Sequence, residues 1–298
     1  MTAQTKAHLG LLATNLFFAI NLSAVKYFTS NKIAGPYGIN VIRIGISVIL
    51  FWILFVMNKE KKKIEKKDIG RFLLCALTAL ALNQMLFMKG LSYTYSIHVS
   101  LLLLITPILI TFIAAWILKE RLGSLKIAGL LLGISGAVIL ISSRENSGKG
   151  NDILLGDLLT ILSAICYTFY FILVKPLMQK YSSIEVMRWV FTFGFFMILP
   201  VGWKEFSEIG WSNFHSLDYL LLFLIVVPGT FLAYIFNVYG IKVLGASIAG
   251  AYIYSQPVFG VITAMIFLKE ELSMYKIIAA VLIFSGVFLA NKNGKKQQ

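Results

Sequence analysis

Apolar runs without a single charged residue recur along this chain. Residues 101–118, LLLLITPILITFIAAWIL, form an uncharged run of eighteen, and residues 246–268 form one of twenty-three. About twenty residues at a rise of 1.5 Å each cross a bilayer core of roughly 30 Å. Only 13% of the chain is charged, against about 25% in a typical soluble domain. These runs predict transmembrane helices and exclude a water-soluble globular protein.

Ten membrane spans can be placed along the chain. They cover residues 8–28, 36–57, 70–89, 96–118, 125–142, 156–178, 185–203, 217–240, 246–268 and 274–291. The apolar runs lack the alternation of a membrane β-barrel, so the spans are predicted to be helices. Lys6 precedes the first run, as in a secretory signal, but that run is long and lacks a small-x-small cleavage site. We therefore interpret it as the first span.

The distribution of charge predicts the topology. The formal net charge is +14, yet segment 58–71 alone holds seven of the 27 Lys and Arg residues and lies between two spans. It is a topology signal rather than a nucleic-acid-binding patch. With both termini in the cytoplasm, eighteen Lys and Arg residues fall on the inner side and nine on the outer side. We predict a multi-pass protein of the cell inner (plasma) membrane, with both termini cytoplasmic and without a nucleic-acid partner.

The chain contains an internal repeat at an offset of 150 residues. Residues 90–141 and 240–291 align without gaps and are identical at twelve of 52 positions. The shared positions include Pro107/Pro257, Leu-Lys-Glu at 118–120 and 268–270, and Ser-Gly at 135–136 and 285–286. More weakly, residues 18–26 pair with 167–175 near an offset of 149. Apolar bias does not explain aligned prolines, Lys-Glu pairs and glycines.

The repeat divides the chain into two five-helix halves. We predict a first repeat at 1–142, a polar linker at 143–155, a second repeat at 156–291 and a cytoplasmic tail at 292–298. Because five is odd, the second copy starts on the opposite side of the membrane. The predicted fold is an all-α integral membrane protein with ten transmembrane helices arranged as two inverted five-helix repeats. The two Lys-Glu pairs then mark helix ends on opposite faces, with Ser124 and Ser273 as expected N-caps of the helices that follow.

This ordered set of features resembles the EamA-type family of the drug/metabolite transporter superfamily. The set consists of Gly90 and Gly240 before a short loop, a helix with a central proline, a closing Leu-Lys-Glu-x-Leu and a last helix with Ser-Gly. Each half also opens with an aromatic and small-residue motif, FFAIN at 17–21 and CYTFY at 166–170. Phe18 stands where the family often has Trp. The resemblance covers essentially the whole chain and implies a midplane cavity and the export of small metabolites.

Polar side chains within the spans are the candidate substrate site, because a polar group in the bilayer is costly without a partner. The candidates are Phe18, Asn21, Asn83, Gln84, His98, Tyr167, Tyr170, Tyr234, Asn237, Tyr252 and Gln256, with Asn15 and Tyr254 as further members. Pro107 and Pro257 are predicted to kink their helices near this cavity. Tyrosines supply apolar walls with a hydroxyl, and amides supply donors and acceptors. The alternative is that these groups only hydrogen-bond helices together.

Three further residues have two interpretations each. The pKa of a histidine can cross physiological pH, so His98 could be a proton-responsive site or a neutral residue near a helix end. Arg43 and Arg188 occupy roughly corresponding positions early in the second helix of each half. Either could bind a substrate carboxylate, or its side chain could extend to the interface or pair with helix-end carbonyls.

The predicted function is that of a secondary transporter. The sequence contains no HExxH motif, no Walker A motif and no clustered His, Cys and Asp residues. Neither an enzyme nor a cofactor is therefore expected, and Cys75 and Cys166 are interpreted as buried thiols. The pocket suits an uncharged or zwitterionic amphipathic solute, so we predict export of amino acids or related compounds by alternating access. A nucleotide-sugar or multidrug-type carrier and a channel remain alternatives, and the coupling ion is open, with a proton as one candidate. Oligomeric state is also open.

Overall fold

The computed structural model describes residues 1–57, 64–106, 108–109, 112–113, 124–142, 152–244, 252 and 254–291. Each predicted span contains a helix within these residues, and we number the helices α1 to α10 in chain order. Pro107 and most of the predicted linker lie outside the described residues, as does the C-terminal tail at 292–298.

The first half contains α1 to α5. Helix α1 is Ala3–Ser30 and α2 is Pro36–Met57. Helix α3 consists of Ile69–Ala76, a π-helical segment Leu77–Ala81 and Leu82–Tyr93. Helix α4 starts as Ser96–Leu102 and tightens to a 3₁₀ turn at Leu103–Ile105, and α5 is Ser124–Ser142.

The second half contains α6 to α10. Helix α6 is Ile153–Lys180 and α7 is Ser183–Ser207. Helix α8 consists of Ser216–Val226, a π-helical segment Val227–Leu232 and Ala233–Leu244. Helix α9 is Ser255–Leu268 and α10 is Met274–Asn291. Pro257 lies in the first turn of α9, where a missing backbone N–H costs little.

The lengths and composition of the helices agree with the predicted membrane protein. Six of the described helical stretches are long and apolar enough to cross a bilayer, and four shorter apolar ones accompany them. Large apolar side chains such as Ile49, Phe196, Phe267 and Phe288 are more than half exposed. Such a surface suits contact with acyl chains. The predicted fold class is confirmed.

The 150-residue offset reappears in the three-dimensional structure. The π-helical segments Leu77–Ala81 and Val227–Leu232 begin 150 residues apart. The two helices that open the halves also start alike, because Thr2 caps α1 and Asp152 caps α6 through side-chain oxygens. The two halves therefore share local structure at equivalent positions, including a rare type of helical turn, even where residues 77–81 and 227–232 lie outside the aligned sequence.

The two halves interleave rather than lie side by side. The most extensive helix pairs are α5 with α10, α2 with α7, α3 with α6, and α1 with both α8 and α9. Helices α1 to α5 of the first half correspond to α6 to α10 of the second. When each helix is replaced by its counterpart, the α1–α8 pair becomes the α6–α3 pair, and the α2–α7 and α5–α10 pairs are unchanged. The helix packing thus has the pseudo-two-fold relation that an inverted repeat requires.

Charged side chains join helix ends that a ten-span topology places on the same face. At the start of α2, Glu205 from the end of α7 accepts hydrogen bonds from the amides of Tyr37 (2.6 Å) and Gly38 (3.1 Å). At the end of α6, Lys180 bridges Glu65 (2.6 Å) and Asp68 beside the start of α3. Hydrogen bonds from Lys180 and Lys67 hold the pKa of the exposed Glu65 carboxyl below its ordinary value.

Candidate functional site

A chain of buried polar side chains connects α2, α3 and α6. The guanidinium of Arg43 on α2 donates hydrogen bonds to the side-chain oxygens of Gln84 and, at 3.2 Å, Asn40. Gln84 Nε2 donates to Asn83 Oδ1 (2.8 Å), and Asn83 Nδ2 donates to the carbonyl of Ser163 on α6 (2.8 Å). The predicted amides Asn83 and Gln84 therefore belong to one hydrogen-bond network, which connects the guanidinium of Arg43 to α6.

Arg43 is a buried cation whose guanidinium donates to amide side chains among the described residues. It is the eighth residue of α2 and is only 8% exposed. Its partners are amides rather than helix-end carbonyls, and it forms no ion pair with any acid in the described residues. Its Nε has no hydrogen-bond partner among those residues. A guanidinium in this state can bind an incoming anion.

An aromatic cluster lies beside Arg43. Tyr170 belongs to the buried cluster that includes Val41 and Ile44 on either side of Arg43, and Tyr167, together with Tyr234 on α8, packs against that cluster. The rings of Tyr167 and Tyr170 on α6 are 5.6 Å apart, and the ring of Phe18 on α1 packs edge-on against Tyr234 at 5.9 Å. The structure thus brings together the predicted residues Phe18, Tyr167, Tyr170 and Tyr234. Their lining of a substrate cavity stays a prediction.

The π-helical segments lie immediately before this network. Leu77–Ala81 precedes Asn83 and Gln84 on α3, and Val227–Leu232 precedes Tyr234 on α8. A π-helical turn inserts a residue and leaves backbone groups without their usual partners. Asn21 on α1 donates to the carbonyls of Ile225 (3.1 Å) and Gly229 (3.0 Å) there. Asn21 therefore links α1 to the π-helical part of α8.

The remaining predicted residues differ in burial and in hydrogen-bond partners. Tyr252 accepts or donates a 2.7 Å hydrogen bond with Nδ1 of His8, while Tyr254, Gln256 and Asn237 are half-buried. Asn15 is buried and donates to the carbonyl of Leu11 in its own helix. Arg188 differs from Arg43, because its guanidinium carbon lies 3.3 Å from the Phe55 ring centroid and 4.5 Å from that of Trp52.

His98 takes part in a contact that sequence reasoning missed. Its Nδ1 lies 2.9 Å from Asp157 Oδ2 on α6, and both side chains are fully buried. Thr94 Oγ1 donates to the other carboxylate oxygen at 2.6 Å. Asp157 is the second residue of the predicted span 156–178, and it was not among the predicted site residues. Its contact with His98 joins residues 59 positions apart, so no local sequence pattern could have indicated it.

The repeated Lys-Glu motif does more than end a helix. Glu270 accepts hydrogen bonds from the backbone amides of Ser96 (2.8 Å) and Ile97 (2.9 Å) at the start of α4. Lys269 takes a left-handed conformation, with φ of 56°, directly after the last residue of α9. The carboxylate from one half thus caps a helix of the other half. The first copy, Lys119 and Glu120, lies outside the described residues.

We expect Glu270→Gln to lower the free energy of unfolding by about 1–3 kcal/mol, because the amides at the start of α4 lose a charged acceptor. Thermal unfolding in one detergent measures the change. The neighbouring Glu271 is exposed, so Glu271→Gln is the matched control. Equal unfolding temperatures for the two variants would contradict the capping role.

The helices, the inverted packing and the polar network within them define a multi-spanning membrane transporter built by duplication. The model of the EamA-like transporter family matches the chain twice, at residues 5–142 and 154–292. The chain belongs to the EamA-like transporter family.

Related proteins agree with this assignment. The chain is 27% identical over 245 residues to the uncharacterized transporter YetK of Bacillus subtilis, covering 82% of this chain and 74% of YetK. It is 22% identical to an uncharacterized transporter of Clostridium kluyveri, covering 98% and 94% of the two chains. A crystal structure with 15% sequence identity superimposes with a TM-score of 0.61, covering 100% of this chain and 99% of the other. That likeness shows a shared fold.

Proposed function

We propose that this transporter is a secondary carrier that exports small amphipathic metabolites with a carboxylate, such as amino acids. In this proposal Arg43 binds the carboxylate, Gln84 orients the guanidinium, and the aromatic cluster of Phe18, Tyr167, Tyr170 and Tyr234 contacts the remainder of the solute. The two halves move about this site, which opens to each side of the membrane in turn.

The single observation that carries the substrate class is the state of Arg43. A buried ionisable residue in a membrane protein is expensive and commonly marks a substrate or ion pathway. The Coulomb attraction of a guanidinium for a carboxylate is strong in a medium of low dielectric constant. A cationic drug would be repelled by Arg43, and a diphosphate would require more cations than this one. A carboxylate balances the single charge.

The interleaved packing supports alternating access. Helix α1 of the first half packs on α8 and α9 of the second, and α6 of the second half packs on α3 of the first. The network from Arg43 to Ser163 joins both halves. Relative motion of the halves would therefore change the surroundings of Arg43, as transport from one side to the other requires.

The proposal includes location and orientation. We place the protein in the cell inner (plasma) membrane with both termini in the cytoplasm, on the strength of the Lys and Arg distribution. Lys180, Glu65 and Asp68 would then face the cytoplasm, and the contact of Glu205 with Tyr37 would lie on the outer side. A reporter enzyme fused after Gln298 tests this orientation, since activity only outside the membrane would reverse it.

Arg43→Gln is expected to reduce export at least tenfold, which corresponds to a loss of about 1.4 kcal/mol of binding. Mass spectrometry of the medium, with cells that express each variant at equal membrane levels, measures the accumulated amino acids. Arg71, exposed in the first turn of α3, provides the control variant Arg71→Gln, which should export like the wild type.

The outcome distinguishes the possibilities. Accumulation with the wild type and Arg71→Gln but not with Arg43→Gln supports both the exporter and the site. Accumulation that is equal with Arg43→Gln contradicts the role of Arg43. If the wild type accumulates no amino acid outside, the proposed substrate class or direction is wrong, and uptake of labelled amino acids then tests the opposite direction.

A further inference from the structure

We propose that His98 and Asp157 together form the proton-binding site that couples this transporter to protons. The inference deepens the proposed function, because it names the coupling ion of the carrier. It depends on the chain being a secondary transporter but not on which metabolite it carries. The site lies where the start of α4 meets the start of α6, apart from the Arg43 network.

The first argument is the chemistry of the pair. A fully buried carboxylate is unfavourable unless it is paired and hydrogen-bonded. Asp157 accepts from Thr94 Oγ1 (2.6 Å) and lies 2.9 Å from Nδ1 of His98. Histidine is the side chain whose ordinary charge change lies near physiological pH. The pair can therefore hold one proton as an imidazolium beside a carboxylate, or lose it and remain joined by the Nδ1–H hydrogen bond.

The second argument is the state of the other imidazole nitrogen. His98 Nε2 is buried and has no hydrogen-bond partner among the described residues. With Nδ1 facing Asp157, Nε2 is the atom at which a proton can be added or removed. In a purely structural histidine, both nitrogens would be expected to have partners, because an unpaired buried polar atom costs free energy.

The surrounding charges keep the site balanced without the added proton. Lys26 from α1 binds the carbonyl of Thr94 at 2.5 Å, and Glu270 from the α9–α10 connection binds the amides of Ser96 and Ile97. Lys276 from α10 lies 4.9 Å from the centroid of the Tyr95 ring, which in turn contacts the imidazole of His98 at 5.5 Å. With Asp157 included, two lysines and two carboxylates therefore surround His98.

The third argument links the proton to conformational change. His98 and Asp157 have no exposed side-chain surface in this conformation. A proton can exchange with water only when the helices around the pair separate. Proton exchange at this site is therefore tied to the opening of one end of the transporter, which is the condition for coupling.

A second histidine lies near the start of α1, the helix that corresponds to α6. His8 on α1 lies close to the level at which Asp157 lies on α6. His8 Nδ1 contacts the hydroxyl of Tyr252, which precedes α9, at 2.7 Å. Helices α1 and α9 are the counterparts of α6 and α4, so each end of the molecule has a histidine hydrogen bond between equivalent helices. Only the His98 contact includes a carboxylate, and the proton-binding role is assigned to it.

Histidine NMR provides the deciding experiment, because the chain contains three histidines. The full-length protein is labelled with ¹⁵N-histidine in lipid nanodiscs and titrated from pH 5 to 9, with His98→Gln used for assignment. If the pair binds the coupling proton, the ¹⁵N signals of His98 change across this range. Asp157→Asn should weaken its proton binding at least tenfold, the equivalent of about 1.4 kcal/mol. His215 is exposed, and His215→Gln is the matched control that should leave the His98 titration unchanged.

A second variant keeps the test decisive if Asp157→Asn does not fold. Thr94→Val retains both titratable groups and removes one hydrogen bond to the carboxylate. Because Asp157 is a carboxylate with or without the added proton, this hydrogen bond is present in both states, and the variant should bind the proton within about threefold of the wild type. Asp157→Asn should therefore change the proton binding of His98, and Thr94→Val should leave it close to that of the wild type. A His98 signal that does not change between pH 5 and 9, or changes equally in every variant, overturns the proposal.

Coupling itself is measured in proteoliposomes that contain a pH-sensitive dye and a mixture of the twenty amino acids. Wild type and His215→Gln should move protons when amino acids leave the vesicles, whereas His98→Gln should not. Proton movement that persists in His98→Gln contradicts the coupling role. If the wild type transports no amino acid, the proposed substrate class fails, and the NMR titration still decides whether the pair binds a proton.

Discussion

Lys26→Met should lower the free energy of unfolding by about 3–5 kcal/mol. Lys26 is buried on α1, and its Nζ donates to the carbonyls of Leu91 (2.9 Å), Ser92 (3.3 Å) and Thr94 (2.5 Å) at the end of α3. The last carbonyls of a helix lack intrahelical partners and carry the negative end of its dipole. Methionine fills a similar volume but leaves these carbonyls without a donor.

Denaturant or thermal unfolding of the purified protein measures this change. Lys6 lies on the same helix and is exposed, so Lys6→Met removes a charge from α1 without removing a buried contact. We expect Lys6→Met to unfold like the wild type. If the two variants are equally stable, the end of α3 does not depend on the cation from α1.

Gly286→Ala should destabilise the protein by about 3 kcal/mol, because two helix backbones meet at this glycine. A Cβ atom added to Gly286 on α10 would lie 2.5 Å from the carbonyl oxygen of Gly129 and 2.6 Å from the amide nitrogen of Gly133, both on α5. Backbone atoms cannot rotate aside as a side chain can. The α5–α10 pair, the most extensive contact between the halves, would have to separate.

Gly70→Ala is the matched control for this substitution. Gly70 lies in the first turn of α3, and a Cβ there would meet nothing within 4 Å. Replacing an unconstrained helical glycine with alanine commonly stabilises by about 0.4–1 kcal/mol through the unfolded state. Opposite signs for the two variants are expected in thermal unfolding. A neutral Gly286→Ala would show that α5 and α10 tolerate a wider separation.

The repeated architecture could be predicted because its sequence signals, long apolar runs and a constant offset, extend over many residues. Apolar runs of bilayer length specify helices, and the 150-residue offset specifies two copies. The Ser-Gly pair at 285–286 lies at the α5–α10 contact, and its copy at 135–136 lies there too. The π-helical segments gave no such signal, because nothing in their composition distinguishes them from the helix around them.

The site could be predicted only in part, because sequence does not report depth or partners. Phe18, Tyr167, Tyr170 and Tyr234 were identified from their residue type and do lie together. The burial of Arg43 was missed, since a position early in a helix is equally consistent with the membrane surface. The partner of His98 was missed because α4 and α6 meet only in the folded protein. Glu270 caps residues 174 positions away, beyond any local pattern.

The interleaving of the two halves has a consequence for biosynthesis. Helix α1 is made first, but its main partners are α8 and α9, near the other end of the chain. At about 5–20 residues per second, roughly 200 intervening residues take on the order of ten seconds or more to synthesise. During that interval the polar groups of α1 that pair with α8 and α9, Asn21 among them, lie in the membrane without their final acceptors. A translocon or chaperone that shelters nascent helices would therefore influence how much of this transporter is assembled correctly.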